Sequence, residues 1–381
     1  MRICLVYDCL FPWTVGGAER WMRSLAEALA AEGHEITYLT RLQWDDTDAP
    51  AIPGVTVIPV SRREELYGPD GNRTIGEPVR FGIGVLRHLA RHGSEYDVVH
   101  TCSFPYFSLL AAATVRRRAG YRLVTDWFEV WSDSYWTAYV GGPKAQVARR
   151  IQRACARVRQ DAFCFSDLHA RRLREIGVRR EPTVLRGLFP GSTDRPQPAP
   201  ASSTVVFAGR FIPEKRVPAI PPAIALAAEE VPELRARIFG DGPQRAELDA
   251  AIAALPDPGL VDAPGFAPGE EVDAAFRSAL CTILPSSREG YGLVVVESSA
   301  VGVPAIVVRG EDNAAVELVE DGVNGVIADS PAPQHLAGAI VRVHRGGAAL
   351  RESTADWFAR NAEDLALRTS LERVVERYAG G

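Results

Sequence analysis

Leu284-Pro285-Ser286-Ser287-Arg288-Glu289-Gly290-Tyr291-Gly292-Leu293-Val294-Val295-Val296-Glu297 is the stretch from which the rest of the chain is read. An apolar run, Cys281 to Leu284, stops at a proline and two serines. A second apolar run then leads towards Gly302-Val303-Pro304. This punctuation predicts a buried strand, a glycine-bearing loop and a helix. Gly290 and Gly292 lack a Cβ, so the backbone there is free to take positive φ and to let a ligand approach its N–H groups. The following helix offers unsatisfied N–H groups to an anion. Glu289 before the glycines and Glu297 within the helix are carboxylates, poor partners for phosphate and good acceptors for paired hydroxyls. Such a loop suits a sugar ring on one side and a ribose on the other.

The complementary charge lies upstream, in Ala208-Gly209-Arg210-Phe211-Ile212-Pro213-Glu214-Lys215, after the strand-like run Thr204 to Phe207. Arg210 is able to grip a phosphate with two N–H bonds, and Lys215 adds a compact point charge. Together they would neutralise a diphosphate leaving group without a metal. Lysine is rare in this chain: Lys215 and Lys144 are the only two, against 43 lysines and arginines in all.

With G-R-x-x-x-x-K at Gly209 to Lys215 and E-x7-E at Glu289 to Glu297, the chain resembles the family 4 retaining glycosyltransferases. The match extends to Gly240-Asp241-Gly242-Pro243, Gly265-Phe266, Gly302-Val303-Pro304 and the N-terminal Gly16-Gly17-Ala18-Glu19-Arg20. The resemblance implies the α/β GT-B fold, in which two Rossmann-like domains face each other across a deep cleft. It also implies a donor site in which Arg210 and Lys215 hold the diphosphate. There Gly290 to Gly292 offer N–H groups, Glu289 faces the donor sugar and Glu297 accepts the ribose hydroxyls. Gly16, Gly17, Gly209, Gly240, Phe266, Tyr291 and Leu293 complete the donor set, with Arg210, Lys215 and Glu289 as the catalytic residues. For Gly16 and Gly17 a plain tight turn that caps the next helix is the alternative. The implied activity is retaining transfer of a sugar, from a UDP-sugar first and GDP-mannose second, to a hydroxyl on a small molecule, glycan or lipid. No cofactor and no metal are expected. A GT-B isomerase or phosphorylase, and a non-catalytic sugar-nucleotide binding protein, are the competing readings.

At 381 residues the chain exceeds one ordinary hydrophobic core, so two domains of roughly 150 to 200 residues are expected. The boundaries implied are an acceptor-binding domain over 1–190, a linker over 191–203 and a nucleotide-sugar domain over 204–356. A C-terminal helix over 357–381 would return to the first domain. A net charge of −5 argues against nucleic acid as a general partner. Arginines nevertheless crowd the first half, at 116–118, 149–159 and 171–180. Solvated helix surface is the plain reading, and a face for anionic lipid headgroups or an anionic acceptor is the other. Met1 to Asp8 turns polar too soon for a signal peptide, and no apolar run reaches the length of a membrane span. A cytoplasmic protein is therefore expected, with peripheral contact of the basic stretches with the inner face of the membrane as the alternative to a solvated surface. Six cysteines without C-x-x-C spacing read as buried free thiols. Scarce lysine beside abundant Arg, Ala and Gly suits a GC-rich bacterial genome.

Arg2 to Tyr7 predicts a buried parallel strand, and Ala18 to Ala31 a helix. The intervening loop has no G-x-G-x-x-G, which argues against a dinucleotide-binding dehydrogenase. Asp46 and Asp48 form a D-x-D in a proline-flanked loop, read as solvated and not as a metal site. Asp97-Val98-Val99-His100-Thr101-Cys102 resembles the family's D-x-x-H-x-H, with Cys102 in place of the second histidine. Asp126-Trp127-Phe128-Glu129-Val130-Trp131-Ser132-Asp133-Ser134-Tyr135-Trp136 holds three tryptophans and three acids. Aromatic faces stack on sugar or apolar rings, and neighbouring acids order hydroxyls. His100, Cys102, Asp126, Trp127, Glu129 and Trp131 are the expected acceptor contacts; a hydrogen-bonded structural histidine at a strand end is the alternative for His100, and an inter-domain packing cluster the alternative for the tryptophan segment.

Overall fold

A computed structural model describes residues 1–45, 48–66, 74 and 76–380. The chain divides into two compact units, Met1–Arg186 with Arg368–Gly381, and Gly187–Leu367. Unit 1 contains strands β1 (Arg2–Val6), β2 (Glu35–Arg41), β3 (Val55–Ser61), β4 (Val98–Cys102), β5 (Arg122–Trp127), β6 (Asp161–Cys164) and β7 (Thr183–Val184). Between them run helices α1 (Gly17–Ala31), α2 (Gly76–His92), α3 (Tyr106–Ala119), α4 (Asp133–Val140), α5 (Gly142–Ala156) and α6 (Asp167–Glu175). The sheet order is β3-β2-β1-β4-β5-β6-β7, all parallel. β1 and β4 are buried along almost their whole length, as continuous apolar runs in a sheet covered on both faces must be.

Unit 2 repeats the plan with β8 (Thr204–Ala208), β9 (Arg235–Phe239), β10 (Val261–Gly265), β11 (Cys281–Leu284), β13 (Ala305–Val308) and β15 (Gly325–Ala328). A separate pair, β12 (Arg288–Glu289) and β14 (Asp312–Asn313), lies in the loops beyond the strand ends. Helices α7 (Ile220–Ala228), α8 (Arg245–Ala253), α9 (Gly269–Ser278), α10 (Leu293–Ser299) and α11 (Pro333–Leu365) complete it. The order β10-β9-β8-β11-β13-β15 reverses direction at β8/β11, as the first sheet does at β1/β4. In doubly wound sheets ligands bind beyond the carboxyl ends of the strands at such a reversal.

Prolines at 218, 221 and 222 delay the helix after Lys215, and α7 opens with proline in its first turn. The stretch 191–203 is fastened to unit 2 and does not hang free. Arg195 pairs with Glu352 at 2.7 Å and Asp356 at 2.8 Å, and Ser202 bonds Ser278 O through both N and Oγ at 2.7 Å. The return to unit 1 begins at Arg368 and not at 357, because Trp357 and Phe358 are buried in α11. Phe358 stands edge-on to Phe189, with ring centroids 5.6 Å apart. The chain breaks helix at Ala366, and α12 (Leu367–Ala379) then packs on unit 1. Arg377 Nη2 donates to Thr183 Oγ1 at 3.0 Å, and Tyr378 meets His100.

Candidate functional site

The site in unit 2 is built at the β8/β11 reversal. β8 delivers Gly209 and Arg210, and Arg210 is exposed there. Gly209 N donates to Phe239 O at 3.1 Å, and Phe211 N to Asp241 O at 2.8 Å, which lays this loop against the end of β9. The approach is so close that a Cβ on Gly240 (φ 128°) would sit 1.9 Å from Gly209 O. A short 3-10 turn, Pro213–Lys215, then presents Lys215.

β11 delivers the opposing loop. Lys215 Nζ donates to Glu289 Oε1 at 2.5 Å, and Ser286 Oγ donates to the same oxygen at 2.7 Å. The two motifs recognised separately along the chain thus meet through one carboxylate. The loop is held from behind by Asn313, whose amide donates to Ser286 O at 3.2 Å and Val308 O at 2.8 Å and whose oxygen accepts from Ala315 N. Gly292 takes φ 106°, and a Cβ there would meet that of Ala315 at 2.6 Å, so glycine is required where α10 begins. Leu293 opens α10, and Glu297 lies half-buried in its second turn. Tyr291 is buried and Phe266 is 75% exposed, a high value for a large apolar ring, beyond the end of β10. Ser286, Asn313, Glu214 and Arg288 were not anticipated from the sequence. Asn313 meets Ser286 across 27 residues and Arg288 meets Glu214 across 74, and Asn313 carried no signal beyond a polar turn.

In unit 1, Gly16 caps α1 in extended conformation and Gly17 opens it; a Cβ on Gly17 would meet nothing within 4 Å. The expected acceptor set is largely corrected. His100, Cys102, Asp126 and Trp127 are each fully buried, and a side chain with no exposed surface does not touch an acceptor. His100 Nε2 lies 2.8 Å from Asp126 Oδ1, and its Nδ1 lies 2.5 Å from the Tyr378 hydroxyl. Trp21 Nε1 donates to Asp126 Oδ2 at 2.7 Å. Burial first, and then Asp126, raise the Tyr378 phenol well above its ordinary range, and the same two causes raise the Cys102 thiol. Trp127 donates to Gln160 at 3.0 Å. Glu129 and Trp131 keep partial exposure and bond each other, indole N–H to Oε2, at 2.7 Å.

All six cysteines are free and buried. Of the D-x-D pair, Asp46 lies outside the described residues, and Asp48 accepts from Trp13 Nε1 at 2.9 Å. Among the described residues no cluster of three His, Cys, Asp or Glu is arranged to hold a metal, and no helix is long and apolar enough to cross a membrane.

Two family models match the chain: Glycosyl transferase 4-like domain over residues 16–187, and Glycosyl transferases group 1 over residues 193–362. The D-inositol 3-phosphate glycosyltransferase of Thermomonospora curvata is 27% identical over 402 residues, covering 96% of this chain and 90% of that protein. Anabaena Alr3699/HepE, solved in complex with UDP and glucose, superposes with a TM-score of 0.75 at 17% identity and full coverage of both chains. The sucrose-phosphate synthase of Thermosynechococcus elongatus gives a TM-score of 0.75 at 18% identity, covering 99% of this chain and 98% of that one. The two structural likenesses carry the fold.

Proposed function

This chain belongs to the family 4 glycosyltransferases of the GT-B fold, and from that premise we propose that it moves a sugar from a nucleoside diphosphate to an acceptor hydroxyl, with retention and without a metal. The observation that carries the reading is the meeting of the Gly209–Lys215 turn with the Glu289 loop, Lys215 Nζ to Glu289 Oε1 at 2.5 Å. When the bond from the anomeric carbon to the diphosphate breaks, negative charge develops on the departing oxygen. Arg210 and Lys215 stabilise that charge, and cations already in place act most strongly on charge that appears in the transition state. Glu289 Oε1 already accepts from Lys215 and Ser286, which suits a carboxylate that orients sugar hydroxyls and not one that attacks carbon. Retention then follows from attack by the acceptor oxygen on the face the diphosphate is leaving, with the hydroxyl proton passing to the diphosphate.

UDP-sugars are the first donor choice, supported by the UDP of the HepE structure, and GDP-mannose the second. A small polyol acceptor is supported by the relatives named D-inositol 3-phosphate glycosyltransferase. Glu129 and Trp131, with the Gly16-Gly17 turn, are the unit 1 residues through which substrate contact is proposed. A thermal-stability screen across nucleotide sugars identifies the donor, because a ligand that binds only the folded state raises the midpoint with its occupancy. Proton NMR of the incubated mixture then reads the chemistry. A glycoside of unchanged anomeric configuration supports the proposal, an epimerised sugar nucleotide points to an isomerase, and binding without product points to a sugar-nucleotide binding protein.

Location at the cytoplasmic surface of a membrane is part of the same reading. From Ser134 to Gln160 there is no acidic residue. Arg149 and Arg153 are occupied by Asp133, at 3.3 and 3.5 Å. Lys144, Arg150 and Arg157 are exposed on α5 and its cap beside Val147, itself 54% exposed, and make no ion pair among the described residues. Cations flanking an exposed aliphatic residue match an anionic bilayer interface.

A further inference from the structure

The Lys215 turn and the Glu289 loop share more than the Lys215–Glu289 contact. Glu214, the residue before the lysine, accepts on its backbone oxygen from Ser287 N at 2.8 Å and from Ser287 Oγ at 3.2 Å. Its carboxylate Oε1 accepts from Arg288 Nη2 at 3.2 Å, and the two side chains of this pair are only 15% and 14% exposed. Successive residues of the turn, 214 and 215, are therefore tied to successive residues of the loop, 287 to 289. The chain leaves the turn through Arg216 at φ 50°, which among the described residues is the one non-glycine position with positive φ. An L residue holds that conformation when its surroundings over-determine it, and such positions gather at functional sites. Pairing of Glu289 with Asn313 across β12 and β14 braces the loop from its other side.

A lysine side chain on a three-residue turn has four flexible carbons between its backbone and its charge. Its value to a departing diphosphate depends on where the ammonium already is when charge develops. We propose that Glu214 and Arg288 are positioning residues: their ion pair, with the Ser287 contacts to Glu214, clamps the turn to the loop and so fixes the Lys215 ammonium, without either side chain touching the donor. This inference rests on the role proposed above for Lys215. It extends the catalytic apparatus to a second pair of opposite charges with no ligand contact of its own.

The test is a double-mutant cycle against Lys215, with urea unfolding midpoints confirming that each variant is folded. Glu214→Gln and Arg288→Gln each lower kcat about tenfold and change the donor KM by no more than about twofold. Arg288→Lys, which keeps a cation, stays within about threefold of the wild type. In a Lys215→Ala background the same two Gln substitutions remove less than a further factor of about two. Equal losses in both backgrounds, or an unchanged kcat, would overturn the clamp. Titration with UDP in the absence of acceptor repeats the cycle without turnover. UDP carries the charge of the leaving group, so its affinity falls about tenfold in Glu214→Gln and no further when Lys215 is already alanine. If no nucleotide sugar is turned over and the UDP cycle is nevertheless coupled, the proposed reaction fails and the clamp stands. Additive losses in the UDP cycle sink the clamp whatever the reaction.

Discussion

Lys215 and Glu289 stand 74 residues apart in the chain and share one hydrogen bond, so neither residue's surroundings are complete without the other. Lys215→Ala and Arg210→Ala are each expected to lower kcat/KM by at least about a hundredfold, the scale of one preorganised contact to developing charge. Glu297→Gln is expected to act on the donor KM, with kcat retained; steady-state kinetics of the three variants separates the effects. The motifs that carry these residues were legible because their spacing is short and fixed. Which of its two roles His100 takes was not legible for the opposite reason, since the partner that encloses it, Tyr378, lies 278 residues away on α12. Asp161 offers a test in pH. Burial pushes its carboxyl up, but the hydrogen bonds and charges of Arg122 and Arg180, each at 2.7 Å, together outweigh burial and hold it below the usual 3.8. A folded value below the unfolded one gives stability that is fully present above 3.8 and lost as pH falls through the folded value. Asp161→Asn is therefore expected to unfold at lower urea than the wild type at pH 7. The difference should close as the pH is taken below 3.8.

Elements were easier to read than the contacts between them. Period and punctuation located β8 and β11 nearly to the residue, because buried parallel strands are continuous apolar runs and their ends are marked by glycine and proline. The pair β12 and β14 escaped notice, since two residues per strand carry no periodicity. In the segment Trp127–Trp136 composition shows the rings but not what they pack against. Trp131 packs among rings of the segment and its neighbours: it lies 4.4 Å from Trp136, 4.8 Å from Tyr135, 5.0 Å from Tyr139 and 5.8 Å from Phe104, centroid to centroid. Trp131→Ala is accordingly expected to cost about 3 kcal/mol of stability, near the low end for losing a large aromatic ring from a core. Urea unfolding measures it. Full stability combined with loss of acceptor use would return the segment to the acceptor wall. Glu129→Gln removes less packing and reads the acceptor role on its own.

At the scale of the whole molecule, two sheets of the same winding order each place their reversal beneath a glycine-bearing loop. That duplication follows from alternating strands and helices. The return of α12 to unit 1 does not, because an amphipathic helix does not say in sequence which core it covers. The basic face of α5 is expected to bind vesicles containing phosphatidylglycerol and to be released as salt is raised, with each cation near the surface contributing about 1 kcal/mol at low ionic strength. Co-sedimentation of the wild type and of an Arg150→Glu, Arg157→Glu double variant measures this, and equal binding by the two would remove α5 from the interface. The central claim is that Arg210 and Lys215 drive departure of a nucleoside diphosphate from a sugar without a metal. Release of nucleoside diphosphate, followed with the stabilising nucleotide sugar and an acceptor in excess chelator, tests it most directly. Undiminished turnover by the wild-type protein, and at least about a hundredfold less by Lys215→Ala, is expected. Turnover abolished by chelation and restored by magnesium or manganese, or a Lys215→Ala variant as active as the wild type, would contradict it.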